Sequence, residues 1–136
     1  MRNNPREILL NRHRQHVKAW QQKDLDTLRS LYSEDAVIFG TVPPTRFSDF
    51  QTFENTLQRY FSQIREVSIL TSNIQIEVRG SVAWVASQYL MAYRSNGELI
   101  RQNGRWTEIY YQEKGDVSWK ICHFHSSTDP IDQQDL

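Results

Sequence analysis

The sequence contains little cysteine, glycine or proline, with one, five and four residues respectively among 136. The single cysteine, Cys122, excludes an intramolecular disulfide framework and a cysteine-rich zinc site. No apolar run approaches the ~18 residues of a membrane span, and the N-terminal residues lack the apolar centre of a signal peptide. We therefore expect a cytoplasmic protein without a membrane partner.

An excess of charge of either sign is also missing, because 16 basic and 16 acidic residues cancel. A net charge of zero argues against a general nucleic-acid-binding protein. The charges are nevertheless segregated, since residues 1–23 are strongly basic and Asp129, Asp132 and Asp135 stand near the C-terminus without a base. Either both ends are simply solvated, or they attract each other within one subunit or between two. The length indicates a single domain over residues 1–136, with a flexible acidic tail at residues 127–136.

Helical periodicity predicts three helices in the N-terminal half of the chain. The second begins after Asp24 and ends at residues 33–35. The third, about 15 residues long, begins at a capping box formed by Ser48 and Gln51. The first spans residues 5–22, and its stripe of apolar and histidine side chains comprises Leu9, His13, His16, Val17 and Trp20.

From residue 66 onward the apolar period changes to two, which predicts four successive antiparallel strands. A change of phase at residues 72–73 indicates a β-bulge that bends the first of them, and Ser95-Asn96-Gly97 indicates a hairpin turn. These elements predict an α+β fold in which three helices cover one face of a strongly bent, mainly antiparallel sheet. The bend leaves a conical space between helices and sheet. The predicted strands are 66–79, 82–94, 99–113 and 117–126, with a short strand at 36–40 before the third helix.

The strand at 82–94 is apolar on both faces, with Trp84 on one face and Tyr89 on the other. A strand that is apolar on both sides is covered on both sides, and helices cover only one face of this sheet. The pattern therefore predicts a homodimer. On the last strand, alternation places Ile121, His123 and His125 on one face, and with Trp84 they form the predicted interface.

The closing segment Trp119-Lys120-Ile121-Cys122-His123-Phe124-His125-Ser126-Ser127 resembles the last strand of a known superfamily. It is similar to the nuclear transport factor 2-like (NTF2-like) proteins, which include SnoaL-like and ketosteroid isomerase-like members. Within them it looks most like the association (hub) domain of calcium/calmodulin-dependent protein kinase II and its bacterial relatives. The segment Gly104-Arg105-Trp106-Thr107 adds to the match.

The resemblance implies a cone-shaped fold with a pocket between helices and sheet, dimers formed through the sheets and, in hub relatives, rings of such dimers. It does not imply one function, because members include isomerases, cyclases, dehydratases and assembly modules. Hub relatives place arginines at the positions that match Tyr89, Glu108 and Ser126. Binding of small carboxylates is therefore not carried over to this chain.

Three side chains are candidate catalytic residues: Glu108, His16 and His125. Burial of Glu108 among rings would raise its pKa and suit it to acid–base chemistry, which isomerases and cyclases of this fold perform with an acidic or histidine base. A cross-strand ion pair with Lys120 is the interpretation we favour for Glu108. As a catalytic residue, His16 would lie next to the pocket mouth. The alternative is that His16 is an ordinary half-buried histidine.

The predicted ligand pocket is rich in aromatic side chains, and a packed core is an equally good interpretation of the same residues. Two histidines on one strand face are too few for a metal site, because no third ligand stands at a fixed spacing. We therefore expect no metal and no cofactor. The predicted pocket residues are Trp20, Tyr89, Trp106, Glu108, Tyr110, Phe124 and Ser126.

The sequence thus predicts a protein that binds a small apolar or aromatic molecule and self-associates as a homodimer or larger ring. Whether it also catalyses a cofactor-independent isomerisation, cyclisation or dehydration stays open at this point. The alternative is a non-catalytic oligomerisation module that resembles the kinase hub. Neither a glycine-rich phosphate loop nor a metalloprotease or hydrolase motif is present.

Overall fold

A computed structural model describes residues 4–114 and 118–130 of the chain. Three helices precede the long strands: α1 (Pro5–Gln22), α2 (Leu25–Leu31) and α3 (Phe50–Phe61). Asn4 and Asp24 cap the first two, because their side chains accept hydrogen bonds from the amides of Arg6 and Thr27. The predicted capping box at Ser48 is wrong, since the N-cap of α3 is Asp49 and the helix has only 12 residues.

Six strands form one sheet in the order β2-β1-β6-β5-β4-β3. Among the strands of the described residues, the pair β1–β6 is parallel and every other pair is antiparallel. The helices α1 and α3 pack on this sheet, so the predicted α+β fold with a curved, mainly antiparallel sheet is confirmed. The strands are β1 (Tyr32–Phe39), β2 (Arg46–Phe47), β3 (Arg65–Arg79), β4 (Val82–Ser95), β5 (Glu98–Gln112) and β6 (Trp119–Thr128).

The strand β1 begins earlier than predicted, and β2 is an element that the sequence pattern missed. Residues 33–35 do not interrupt the chain but belong to β1. Tyr32 pairs with Ile121 of β6, and the Ser33 hydroxyl donates to the Ile121 carbonyl oxygen. The start of β1 is therefore determined by its pairing with a strand that lies about ninety residues away in sequence.

Two local predictions in the long strands are confirmed. The register of β3 against β4 shifts between Ser72 and Gln75, and Asn73 has a positive φ of 51°. This is the predicted β-bulge, and it bends the sheet. The turn between β4 and β5 has Asn96 and Gly97 at φ 52° and 80°, as a tight hairpin requires.

A second bulge, in β6, overturns the predicted alternation of the last strand. Ile109 pairs with His123 whereas Tyr110 pairs with Ile121, so Cys122 is the extra residue. Ile121 therefore points toward the helices and is 0% exposed, while His123 lies on the outer face. The prediction that Ile121 forms an interface with His123 and His125 was wrong, because Ile121 is already buried in the core of a single chain.

The outer face of the sheet, opposite the helices, carries exposed apolar side chains. On β4, Ala83, Val85 and Tyr89 are buried, whereas Trp84 is 36% and Leu90 60% exposed. The apolar pattern on both sides of β4 therefore corresponds to one face packed against helices and one face open to solvent.

The C-terminal residues follow β6 as far as the structure describes them. Asp129 donates its amide to the Asn103 carbonyl oxygen and lies 3.4 Å from the Arg105 guanidinium, so its partners are on β5 rather than on α1. Asp132 and Asp135 of the predicted tail lie outside the described residues. No helix in the described ranges is long and apolar enough to cross a membrane.

Candidate functional site

A narrow apolar crevice opens between the helices and the inner face of the sheet. Its free volume is about 480 Å³ with the open mouth included. Half of the residues that line it are aromatic, so the crevice suits a flat ligand. It is lined by Trp20, Ile38, Gly40, Thr41, Val42, Phe47, Phe53, Tyr60, Tyr89, Met91, Gln102, Trp106, Phe124 and Ser126.

One side of the crevice is an aromatic wall made of Trp20, Tyr89, Trp106 and Phe124. The Trp106 ring is central, with its centroid 6.2 Å from Trp20, 5.4 Å from Tyr89 and 5.3 Å from Phe124. Spacings of this size are those of interacting aromatic pairs. Three of the four rings stand on neighbouring strands, and Trp20 reaches them from the last turns of α1. The wall therefore depends on how α1 lies on the sheet.

A polar edge borders the wall where β4, β5 and β6 meet. The Gln102 side-chain amide donates to the Tyr89 hydroxyl over 3.4 Å, and the Ser126 and Tyr89 hydroxyl groups also share a hydrogen bond. Burial raises the pKa of Tyr89, so its phenol stays protonated. Gln102 was missed by the sequence prediction, because its half-buried position gives no pattern that separates it from an ordinary strand residue.

A buried polar network lies behind the wall, and Glu108 is at its centre. Glu108 is 0% exposed on β5, and its carboxylate accepts from the Tyr110 hydroxyl at 2.6 Å. The same carboxylate lies 2.6 Å from His13 Nδ1 and 3.4 Å from His16 Nδ1. Glu108 and Tyr110 do not line the crevice, although both were predicted in the pocket.

The two histidines extend this network in opposite directions. His13 Nε2 lies 2.9 Å from the Thr71 hydroxyl oxygen of β3. His16 Nε2 lies 2.6 Å from the Tyr32 hydroxyl and receives the Trp20 indole N–H at 3.3 Å. Because the Trp20 indole donates to Nε2, a neutral His16 carries its proton at Nδ1, which faces Glu108. Tyr32 and Thr71 were not among the predicted site residues.

The charge state of Glu108 results from two opposing effects. Burial raises the pKa of the carboxyl group, but the charge of His16 and the hydrogen bond from His13 outweigh it and lower the pKa to about 2. The expectation of a raised pKa was therefore wrong. The expected ion pair with Lys120 is also absent, since the Lys120 ammonium donates to the Ser30 carbonyl oxygen at 2.8 Å.

The remaining predicted histidines lie on the outer face, away from the crevice. His125 is exposed, and His123 lies 2.8 Å through Nδ1 from the Val37 carbonyl oxygen. The Phe39 ring stands 5.2 Å from His123 and 5.7 Å from His125 between centroids. His125 therefore has no access to a ligand in the crevice. In the described ranges no three His, Cys, Asp or Glu side chains are arranged to hold a metal ion.

We expect Glu108→Gln to lower the free energy of unfolding at pH 7 by about 2–4 kcal/mol, because it removes the charge that the histidines surround. The wild-type pKa of Glu108 is below its ordinary 4.5, so its contribution is present above pH 4.5 and is lost as the pH falls toward 2. The variant should lose less stability over that range. Urea unfolding at pH 7, 4.5 and 3 measures both effects.

The matched control is Glu98→Gln, which removes an exposed carboxylate at the start of β5. It should leave the stability at pH 7 and its acid dependence unchanged. Equal acid sensitivity in wild type and Glu108→Gln would contradict the assignment of a lowered pKa to Glu108.

Solved structures show how widely this fold occurs. A ketosteroid isomerase-like protein from Erwinia carotovora atroseptica has a TM-score of 0.81 and 12% identity, over 96% of this chain and 100% of that one. A candidate scytalone dehydratase from Novosphingobium aromaticivorans has a TM-score of 0.76 and 20% identity, over 91% and 83%. A candidate calcium/calmodulin-dependent protein kinase II association domain from Xanthomonas campestris has the same TM-score and identity, over 96% and 91%. At these identities the likeness concerns the fold, which is the NTF2-like cone.

The sequence itself also matches a family. The comparison with curated proteins gave no match. The family description of the SnoaL-like domain, however, matches residues 10–132, which include most of α1, all six strands and every residue of the crevice and the buried network. The chain therefore belongs to the SnoaL-like family.

Proposed function

We propose that this chain is a single domain, residues 1–136, that binds a small, flat and largely apolar molecule in the crevice. The observation that carries the proposal is the aromatic wall, which borders free space instead of being filled by other side chains. Binding sites for small molecules are typically concave and apolar with a few polar groups, and the polar edge at Tyr89 provides such groups. Two solved neighbours described as isomerase-like and dehydratase proteins are consistent with this class of ligand.

The expected affinity for one aromatic ring is modest. Burying about 150 Å² of apolar ligand surface contributes roughly 4 kcal/mol at ~25 cal/mol per Å². This corresponds to a dissociation constant of about 1 mM, so fragments must be screened at millimolar concentration and larger ligands should bind more tightly.

A thermal-shift screen of small aromatic molecules tests the proposal. A ligand at about 100 times its dissociation constant should stabilise the fold by roughly 2.7 kcal/mol. Ser126→Phe should abolish the stabilisation, because a ring at this lining position fills the crevice. Ser127→Phe is the control, since strand alternation places the next residue on the outer face, where its hydroxyl receives a hydrogen bond from Arg105. Equal stabilisation of both variants would place the ligand elsewhere.

A second candidate function is metal-independent proton transfer on the bound molecule, as in an isomerase or lyase. His16 is the side chain that favours it, because its ring touches the wall residues Trp106 and Phe124 while its Nδ1 faces Glu108. A carboxylate at Nδ1 stabilises the imidazolium that forms when Nε2 takes up a proton. In this proposal His16 is the general base, a role that requires Nε2 to exchange its Tyr32 and Trp20 partners for the bound molecule. Glu108 positions His16, whereas the low pKa of Glu108 makes its own carboxylate too weak a base.

Hydrogen–deuterium exchange of the acetophenone methyl protons in D₂O, followed by ¹H NMR, tests the proton transfer. Wild type should accelerate exchange over buffer, and His16→Gln should lose roughly 100-fold of that acceleration. His125→Gln, on the outer face, should retain it. If the wild type binds acetophenone without accelerating exchange, the chain is a binding domain alone for this class of ketone.

We further propose that the chain self-associates through the outer face of its sheet. Two rows of side chains that run across the strands form an apolar surface on this outer face. One row joins Trp84, Ile109 and His123, and the other joins Ala86, Thr107 and His125. Phe39 stands against both histidines, so the rows form one continuous surface across β4, β5, β6 and β1. If the chain forms a hub-like assembly and binds no ligand, the result would favour the alternative function, a non-catalytic oligomerisation module.

Trp84→Arg should convert the assembly to a monomer at micromolar concentration, because it places a charge at the β4 end of the apolar surface. Leu99→Arg is the control, since Leu99 is also exposed but lies at the β4–β5 hairpin end. Light scattering coupled to size exclusion measures the mass of each variant. A monomeric wild type would contradict the proposal.

A further inference from the structure

The buried network places two histidines of α1 on one carboxylate. His13 Nδ1 lies 2.6 Å and His16 Nδ1 lies 3.4 Å from the same oxygen of Glu108, Oε2. The Nε2 atoms of the two rings reach different strands. That of His16 lies 2.6 Å from the Tyr32 hydroxyl of β1, and that of His13 lies 2.9 Å from the Thr71 hydroxyl of β3. The carboxylate is therefore the middle of a row of polar groups that runs from β1 to β3.

The two ends of this row lie at different openings of the fold. At one end, the His16 ring packs against Trp106 and Phe124 of the crevice wall, at 5.4 and 4.9 Å between centroids. At the other end, His13 and Thr71 both line an open groove between α1 and β3. His13 is only 1% exposed, whereas Thr71 is half-buried. The Thr71 hydroxyl is therefore the contact between the buried network and the groove.

The surrounding charges favour a single imidazolium ring in the network. In the part of the chain that the structure describes, Glu108 is the only acidic side chain in contact with either histidine. Further charges at the network and the groove are positive, since Arg12 acts on Tyr110 while Arg14 and Lys18 line the groove. Burial raises the pKa of Tyr110, so its phenol is neutral. One imidazolium neutralises the carboxylate, whereas a second would be a buried charge without a partner.

The hydrogen bonds fit either position of that positive charge. The Trp20 indole N–H can only donate, so its contact with His16 Nε2 belongs to the state in which the charge is on His13. The Tyr32 and Thr71 hydroxyl groups can accept from a protonated Nε2 and donate to an unprotonated one. The charge can therefore change from one ring to the other while the Nε2 atoms of both rings keep a hydrogen-bond partner.

We infer that His13 and His16 share one positive charge across Glu108 and form a proton relay between the crevice and the groove. When His16 Nε2 takes up a proton, His13 Nε2 releases one to the Thr71 hydroxyl oxygen, and this hydroxyl passes its own proton to water in the groove. The net charge of the network stays the same, because the two titrations are coupled. The use of the relay in a reaction rests on the proposed proton transfer, in which His16 is the general base. His13 and Thr71 are then positioning residues that return His16 to its neutral state.

The ¹⁵N signals of the histidine rings test the shared charge, because they distinguish an imidazolium from either neutral tautomer. The sequence has four histidines, and His123 and His125 on the outer face serve as references. At pH 7 one of the two buried rings should be cationic and the other neutral. His13→Gln should place the charge on His16. Two charged or two neutral buried rings in the wild type would overturn the shared charge, as would a neutral His16 in His13→Gln.

The exchange of the His13 ring N–H protons with water, measured by saturation transfer, tests the release through Thr71. Thr71→Val keeps the shape of the side chain but lacks the hydroxyl, and it should slow this exchange roughly tenfold, because a positioned hydroxyl acts as an acid–base group. Thr71→Ser is the matched control, which keeps the hydroxyl and should exchange within about twofold of wild type. Equal exchange in the two variants would overturn the release route. These variants and the wild-type ¹⁵N signals decide the inference if His13→Gln does not fold.

The exchange of acetophenone methyl protons in D₂O relates the relay to the proposed proton transfer. Thr71→Val should lower the acceleration by wild type roughly tenfold without changing the binding of acetophenone, and Thr71→Ser should restore it. Full acceleration by Thr71→Val would overturn the use of the relay in the reaction. If the wild type does not accelerate this exchange, the proposed proton transfer fails by itself, while the ring ¹⁵N signals and the two Thr71 variants still confirm or overturn the relay.

Discussion

The ionised carboxylate of Glu108, enclosed in the core, is the interaction on which the rest of the structure depends. A buried charge costs several kcal/mol unless donors surround it, and here Tyr110, His13 and His16 face it. Both histidines come from α1, so the helix has to present one particular face to the sheet. The same helix face carries Trp20, and the position of the aromatic wall therefore follows from the pairing of Glu108.

The sheet separates two kinds of surface because strand side chains alternate between its faces. On the inner face, the aromatic wall separates the buried polar network around Glu108 from the crevice, whose lining residues carry no charge. On the outer face, Trp84 and the histidine pair form an apolar surface exposed to solvent. Ligand binding and self-association are therefore proposed for opposite faces, and each can be changed by a substitution that leaves the other in place.

The sequence predicted the elements whose causes are local. Asp24 caps α2, the phase change at residues 72–73 is a bulge, and Asn96-Gly97 forms the tight hairpin turn. Four of the aromatic residues that line the crevice were among the predicted pocket residues, whereas Phe47, Phe53 and Tyr60 were not. Predictions failed where a distant strand decides the conformation. The start of β1 depends on pairing with β6, and the bulge at Cys122 reverses the faces of Ile121 and His123.

The sequence by itself determined the fold class, the family and the aromatic character of the inner face, since periodicity and motif spacing are properties of the chain alone. Only the tertiary structure decided what the polar residues do. Glu108 was expected to pair with Lys120 on a neighbouring strand, but its partners lie on α1, about ninety residues earlier. Hydrogen-bond partners of buried groups are determined by how a helix packs on the sheet, and no local pattern in the sequence records that packing.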